Sequence, residues 1–416
     1  MIDNDPHAVN ICLYVAIPEW DEGRRHIRPW RQRLKSFAKH SLDRLATRFS
    51  GHLHLDLFHY AALRGLGNNS NRGDIAIRMA IKQQLTTAFA PRRVCFSDVK
   101  WGELTDDVAQ EVNRHSDIFV IGGGGYIFLG PDGAAGEMLA AVEELDKIRL
   151  PVFAYGIGLN RLMHEKICDL HDLPEASRQK VRYLANRCTL VSVRDFDTAQ
   201  LFQLCSDKPA ALTGDPVLFY LPRNRQPARP AENRRPVIGI NLASHGWRTL
   251  SVLKPLLPTI LAFLKWIQRT HQAEFVYLQH HDFERPVIDF LRARGLRFRL
   301  VCSSPDELLE GYATTDFVIC QMLHACIFSA NAGVPFLNIA YDEKSVAFCK
   351  LLAIQECCVR HTDARLTVLE DAFSSLFQKR SQLAGTLDRR KKDLLVSSTI
   401  FAGQMAAETE RLTSAP

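Results

Sequence analysis

The chain has 416 residues, 46% of them hydrophobic and 24% charged, which exceeds one ordinary core and suits a globular protein of two or three domains. Its net charge of +6 is modest and local, gathered between Arg24 and Arg48 and again at Arg223, Arg225, Arg229, Arg234 and Arg235. The rest of the chain is close to balanced, which argues against nucleic acid as a partner.

From the N-terminus, Met1–Asn10 is polar and acidic and lacks the basic-then-apolar order of a signal peptide. No run approaches the roughly 18 apolar residues of a membrane span, so a cytoplasmic location is expected. Residues 1–51 read as an N-terminal extension. Within it, Pro29–Phe49 has the pattern of a basic amphipathic helix, with Trp30, Leu34, Phe37, Leu42, Leu45 and Phe49 on one face. Such a helix packs on a neighbouring domain or docks on an anionic membrane surface at the inner face; salt-sensitive binding to anionic vesicles separates the two.

A first Rossmann-like domain is expected over 52–221. Its strand candidates are Val9–Ala16, Leu53–Tyr60, Arg93–Phe96, Ile118–Ile121, Val152–Tyr155 and Leu190–Val193, with helical patterns at Ile75–Ala88 and Gly136–Lys147. The segment Pro222–Pro236 holds four prolines and no large apolar residue, so it cannot build a core and reads as a linker. A second Rossmann-like domain is expected over 237–416, with strands Val237–Asn241, Glu274–Leu278, Arg297–Val301, Phe317–Cys320 and Phe336–Ala340. Helical patterns there are Leu250–Gln268 and Leu366–Leu383. Short apolar strands alternating with helices imply parallel sheets built from βαβ units. The fold class is therefore α/β, two Rossmann-like domains facing a cleft.

The eleven cysteines include no CxxC pair and mostly sit in apolar runs, so they read as reduced core residues. No metal site is expected. His280-His281-Asp282 is a poor one because adjacent side chains diverge, although His281 is a cleft candidate. There is no HExxH, GxSxG or P-loop.

Glycine-rich strand ends are the first chemical signal. Gly122–Gly125 follows one strand, and Tyr155-Gly156-Ile157-Gly158 follows another. That is where open α/β sheets place ligands, so Gly123, Gly124, Gly125, Gly156 and Gly158 are donor-binding candidates; tight structural turns are the alternative. Leu190–Val193 leads to Arg194-Asp195. The planar guanidinium suits a phosphate or carboxylate, or else pairs with Asp195. Gly214-Asp215-Pro216 offers Asp215 as a polar group at the cleft. His324 is expected at the first turn of a helix after Phe317–Cys320, where an anion is favoured and an imidazole can move protons. Lys344, after the next strand, meets a phosphate or simply starts a solvated helix.

The order of these pieces resembles the polysaccharide pyruvyltransferase family over roughly residues 52–355. The pieces are Asn71-Arg72-Gly73-Asp74, Asp117–Gly125, Tyr155–Gly158, Val191–Asp195, Gly214–Pro216, Asp316–Cys320, Leu323-His324-Ala325, Gly333–Pro335 and Tyr341–Lys344. The resemblance implies a fold similar to GT-B glycosyltransferases. It implies transfer of the pyruvyl group of phosphoenolpyruvate to a sugar as a cyclic ketal, with phosphate released and no further cofactor. The sugar acceptor is free or lipid-linked. Arg194 and His324 match positions that contact the donor or assist proton transfer. Arg194 and Lys344 are assigned to the anions, and Asp215 and His281 are candidates for the base.

One departure stands out. Met322 occupies a position where the family usually has arginine, and the loss of a charge-assisted contact weakens donor affinity by roughly 1.5–3 kcal/mol. A neighbouring cation then substitutes, the donor differs, or the chain is a non-catalytic scaffold. A glycosyltransferase using a nucleotide sugar is the other rival, since fold alone does not fix function.

Overall fold

A computed structural model describes residues 8–19, 71–161, 168–222, 234–244 and 246–413. The first unit is a six-stranded sheet, entirely parallel. Its strands are β1 (Val9–Val15), β2 (Val94–Lys100), β3 (Ile118–Phe128), β4 (Val152–Asn160), β5 (Leu190–Val193) and β6 (Ala211–Leu212), in the order β2-β1-β3-β4-β5-β6. The second sheet is also six-stranded and parallel. It contains β7 (Val237–Asn241), β8 (Glu274–Leu278), β9 (Arg299–Val301), β10 (Phe317–Cys320), β11 (Phe336–Ala340) and β12 (Cys358–Arg360), ordered β12-β11-β10-β7-β8-β9. The central strands are buried on both faces, which is why they read as unbroken apolar runs instead of alternating ones.

Strand order reverses between β1 and β3 in one sheet and between β7 and β10 in the other. Crevices open at the C-terminal ends of such switch strands. Near there the first sheet carries its glycine run, in the C-terminal half of β3, and the second carries Gln321–His324, after β10.

Several expectations change. Residues 1–51 are not wholly an extension: Val9–Val15 lies inside the first sheet, paired with β2 on one side and β3 on the other. The glycine run does not end its strand. β3 continues through it to Phe128, with a register shift after Gly124, because Gly123 and Gly124 adopt φ of 36° and 78° and re-aim the chain without breaking the ladder. Gly136–Lys147 is a short helix, Glu137–Ala140, followed by a 3-10 turn, Val142–Lys147. The predicted Leu366–Leu383 ends at Gln378, and a separate 34-residue helix, Arg380–Thr413, follows.

That last helix corrects the 237–416 boundary, since it returns to the first unit. Ser397 Oγ donates to Leu212 O at 2.8 Å, and Ser398 Oγ lies 3.0 Å from Gln84 and 3.1 Å from Tyr155 Oη. Phe401 packs on the Tyr155 ring at 5.5 Å. Its inward positions include Ser398 and Thr409, which dilute the apolar period a sequence reading relies on. The units are also joined by Asn331, whose Nδ2 donates to Val217 O at 2.5 Å and Tyr220 O at 2.9 Å. One apolar cluster accordingly runs from the inner face of the first sheet into the second unit.

The patterns at Pro29–Phe49 and Leu53–Tyr60, and linker residues 223–233, lie outside the described residues. Among those described, no helix is long and apolar enough to cross a membrane.

Candidate active site

The helix Arg72–Ala88 begins at the interface between the units. Asn71 caps it by accepting the Gly73 N–H at 3.1 Å, and its Nδ2 donates to Asp74 Oδ2 at 2.7 Å, which fixes that carboxylate. Arg72 reaches into the second unit. Its backbone N–H donates to His280 O at 3.0 Å, its Nε to Ser303 O at 2.7 Å, and its Nη2 lies 3.3 Å from Asp282 Oδ1.

Opposite stands the helix Leu323–Ala332. His324, in its first turn, places Nε2 3.4 Å from Asp74 Oδ1, so one partner of the pair comes from each unit. The approach is close because position 73 lacks a side chain: a Cβ there would lie 2.1 Å from His324 Cγ. Loss of solvent works against the Asp74 charge. The hydrogen bond and charge of His324 prevail, with Lys344 and Arg194 assisting, and hold the carboxyl below its ordinary value.

Arg194 follows β5 and is 4% exposed. Its Nε is 3.4 Å from Asp195 Oδ2 and its Nη1 3.9 Å from Asp215 Oδ2. Nε and Nη2 have no hydrogen-bond partner. Gly158 makes room for it, since a Cβ there would sit 2.0 Å from Nε. Both carboxylates have other work. Asp195 caps the helix Phe196–Cys205 through Thr198, and Asp215 caps the turn Pro216–Phe219 through Val217. Burial raises both carboxyls above their ordinary range despite the Arg194 charge.

Lys344 lies in the first turn of the helix Glu343–Leu351, capped by Asp342, with Nζ 3.4 Å from Asp342 Oδ2. The start of this helix also touches the first unit, where the Glu343 N–H donates to Arg161 O at 3.3 Å. Arg161 itself pairs with Asp197 at 2.8 Å.

Asp74 feels the charges of His324, Lys344 and Arg194, and Asp215 those of Arg194, His324 and Asp74, so these five side chains are neighbours where the units meet. His281 is near enough to feel the Asp74 charge, but it is 7% exposed and occupied. Its Nδ1 accepts the Phe283 N–H at 3.1 Å, its ring stacks on Phe283, and burial pushes it down to about 4. Met322 is 2% exposed and packs in the apolar core.

The glycines divide by task. A Cβ at Gly123 would meet Ile77 at 2.4 Å, one at Gly125 would meet Asn160, and one at Gly156 would meet Pro216, so these three allow close packing. Gly124 faces Asp74, with Oδ1 3.8 Å from its Cβ position. Among the described residues no group of three or more His, Cys, Asp or Glu is arranged to hold a metal.

Sequence reasoning passed over Asp74, Arg72, Asp195 and Arg161 as site residues. The signal for Asp74 was present in Asn71-Arg72-Gly73-Asp74, but a helix cap followed by an acidic first turn needs no function to explain it.

The model of the polysaccharide pyruvyl transferase family matches residues 4–343, and the chain belongs to that family. The match begins well before the expected residue 52 because β1 is part of the shared fold. No curated protein matches. Among solved structures, the Staphylococcus aureus MnaA–UDP complex is similar with a TM-score of 0.52 and 12% identity, over 83% of this chain and 96% of that one. A Listeria monocytogenes structure assigned as a UDP-N-acetylglucosamine 2-epimerase gives 0.54 and 11%, over 82% and 94%. At such identities the likeness concerns the fold, two Rossmann-like α/β units.

Proposed function

We propose that this transferase moves the pyruvyl group of phosphoenolpyruvate onto two hydroxyls of a sugar, forming a cyclic ketal and releasing phosphate. The observation that carries this reading is Arg194, a buried guanidinium with two unpartnered N–H-bearing nitrogens beside an acid–base pair. Asp195 and Asp215 lie beside it but leave those N–H groups without a hydrogen bond, which is costly in a buried site unless an acceptor such as an oxygen of the pyruvyl donor completes them.

In this reading Arg194 and Lys344 hold the phosphate and carboxylate of the donor. They supply the cationic contacts that Met322, sunk in the core, does not. A proton is added to the methylene carbon, positive charge builds at C2, and one sugar hydroxyl attacks there. The C2–O bond to phosphate breaks and the second hydroxyl closes the ketal. The two hydroxyl protons end on the new methyl group and on phosphate. His324, oriented by Asp74, is the group that moves protons. Asp215, 1% exposed and engaged with Arg194, positions that side chain and is not the base. His281, held neutral, shapes the loop facing the pair. The acceptor is a sugar of a polysaccharide or its precursor, free or lipid-linked.

Calorimetric titration with phosphoenolpyruvate, alongside UDP-sugars, tests the proposal. The expected result is donor binding that weakens by about one to two powers of ten in Arg194→Ala, and phosphate release that stops in His324→Ala. Binding of a UDP-sugar and none of phosphoenolpyruvate would overturn it.

A further inference from the structure

β12 is an edge strand of the second sheet, and only a short turn separates it from the helix Glu343–Leu351. This connection brings together two thiols outside the site described above. Cys349, on the helix, is wholly buried; Cys358, the first residue of β12, is half-buried. One amide serves both, with Asn338 Nδ2 3.6 Å from Cys358 Sγ and 4.0 Å from Cys349 Sγ.

The pair is asymmetric. The neighbouring Cys349 thiol, against the opposing effect of burial, holds Cys358 below the ordinary thiol value; the Asn338 amide and the Arg360 charge act the same way. The Cys358 neighbour, reinforced by burial, raises Cys349. Reactive thiols are those both exposed and stabilised as thiolate. A second close pair supplies the contrast: Cys320 and Cys326 have sulfurs 3.3 Å apart, but both are fully buried and pushed up by that burial.

We propose that Cys358 and Cys349 form a peroxide-sensitive dithiol, in which Cys358 is oxidised first and Cys349 resolves it as a disulfide. The Cys358 thiolate attacks hydrogen peroxide, the O–O bond breaks, and Cys358 sulfenic acid and hydroxide form. The Cys349 sulfur, its proton passing to hydroxide, then attacks the sulfenic sulfur; the S–S bond forms and hydroxide leaves. Counting the thiol proton Cys358 gave up beforehand, the dithiol loses two electrons and two protons, and the peroxide is reduced to water. The disulfide staples β12 to the far end of the helix that begins with Glu343 and Lys344, reinforcing the Arg360–Glu343 ion pair at 2.9 Å.

The test uses the reduced full chain, limiting hydrogen peroxide at neutral pH, alkylation of the remaining thiols and a tryptic peptide map. The expected product joins peptides 345–350 and 351–360, two hydrogens lighter than their sum, with fragmentation placing the bond at Cys358. It should persist in Cys357→Ser and vanish in Cys358→Ser, while Cys349→Ser should leave a dimedone-reactive sulfenic acid on Cys358. Cys320 and Cys326 should stay reduced. A linked peptide that survives Cys358→Ser would overturn the proposal. So would peroxide consumption at the other half-buried thiols, Cys95, Cys168 and Cys302, with Cys358 untouched. The wild-type map decides this second point without any variant.

Discussion

Gly73→Ala should damage activity far more than stability. The added Cβ would stand 2.1 Å from His324 Cγ, 2.4 Å from Cδ2 and 2.5 Å from Nδ1, whereas carbon contacts settle at about 3.5–4.0 Å. The imidazole or the whole interface must therefore move by about 1.5 Å. Overpacking of this kind costs about 1–3 kcal/mol, and the better helix propensity of alanine returns up to about 1 kcal/mol, leaving a net loss of about 0–3 kcal/mol. Catalysis is less forgiving, because a 1 Å misplacement costs about 100-fold. The assay is phosphate release from phosphoenolpyruvate with an acceptor sugar, read as kcat/KM beside a thermal melt. In a His324→Ala background the clash disappears, so adding Gly73→Ala should then be neutral or mildly stabilising, a coupling that a double-mutant cycle measures. Wild-type kcat/KM in Gly73→Ala would show that this apposition of Gly73 and His324 is not the working arrangement.

Arg72→Ala removes side-chain bonds to Ser303 O, His280 O and Asp282 while leaving the backbone N–H bond to His280 O; hydrogen exchange should rise in 279–284 and 302–304 and stay unchanged in β3 and β4. Glu284 is fully buried, accepts the His280 and His281 N–H groups at 3.0 and 2.7 Å, and is pushed by burial from 4.5 to about 8. The folded state alone holds that proton between those values, so stability should fall as pH rises from about 5 to 8, by up to about 5 kcal/mol. Glu284→Gln should flatten this slope in denaturant titrations; an unchanged slope would assign the effect to other groups.

The alternation of strands and helices was legible because parallel strands buried on both faces leave short apolar runs. Where β-branched residues recur in such a run, as Val191 and Val193 do in β5, they favour strand over helix. His324 at a helix start was legible for a similarly local reason. What escaped was decided by distant partners. β1 reads as a strand, but nothing in Val9–Val15 says that it pairs with Val94–Lys100 and Ile118–Ile121, far along the chain. Helix Arg380–Thr413 faces the first unit through Ser397 and Ser398, whose role exists only once Leu212, Gln84 and Tyr155 are beside them. Asp74 looked like a helix-start acid because its other partner, His324, lies across the interface. Conversely, glycines read as ligand loops mostly let helices and side chains approach, as Gly123 does for Ile77 and Gly158 for Arg194.

The carboxylates around Arg194 lead to a last prediction, that donor binding takes up protons. Asp195 and Asp215 are both wholly enclosed and both raised by burial, while Asp74, near them, is lowered by its imidazole. Arg194 therefore stands against acids that are already reluctant to ionise. An incoming phosphate and carboxylate bring further negative charge beside Asp215 and Asp195, which raises them again. These two shifts have the same sign, and near pH 8 the donor's own phosphate is already ionised and has no proton to release. Binding enthalpies measured near pH 8 in buffers of different ionisation enthalpy should vary linearly, with a slope that reports net proton uptake, and the slope should shrink in Asp215→Asn. Proton release, or no dependence on buffer, would mean that the donor does not bind beside these acids, and would count against Arg194 as its anchor.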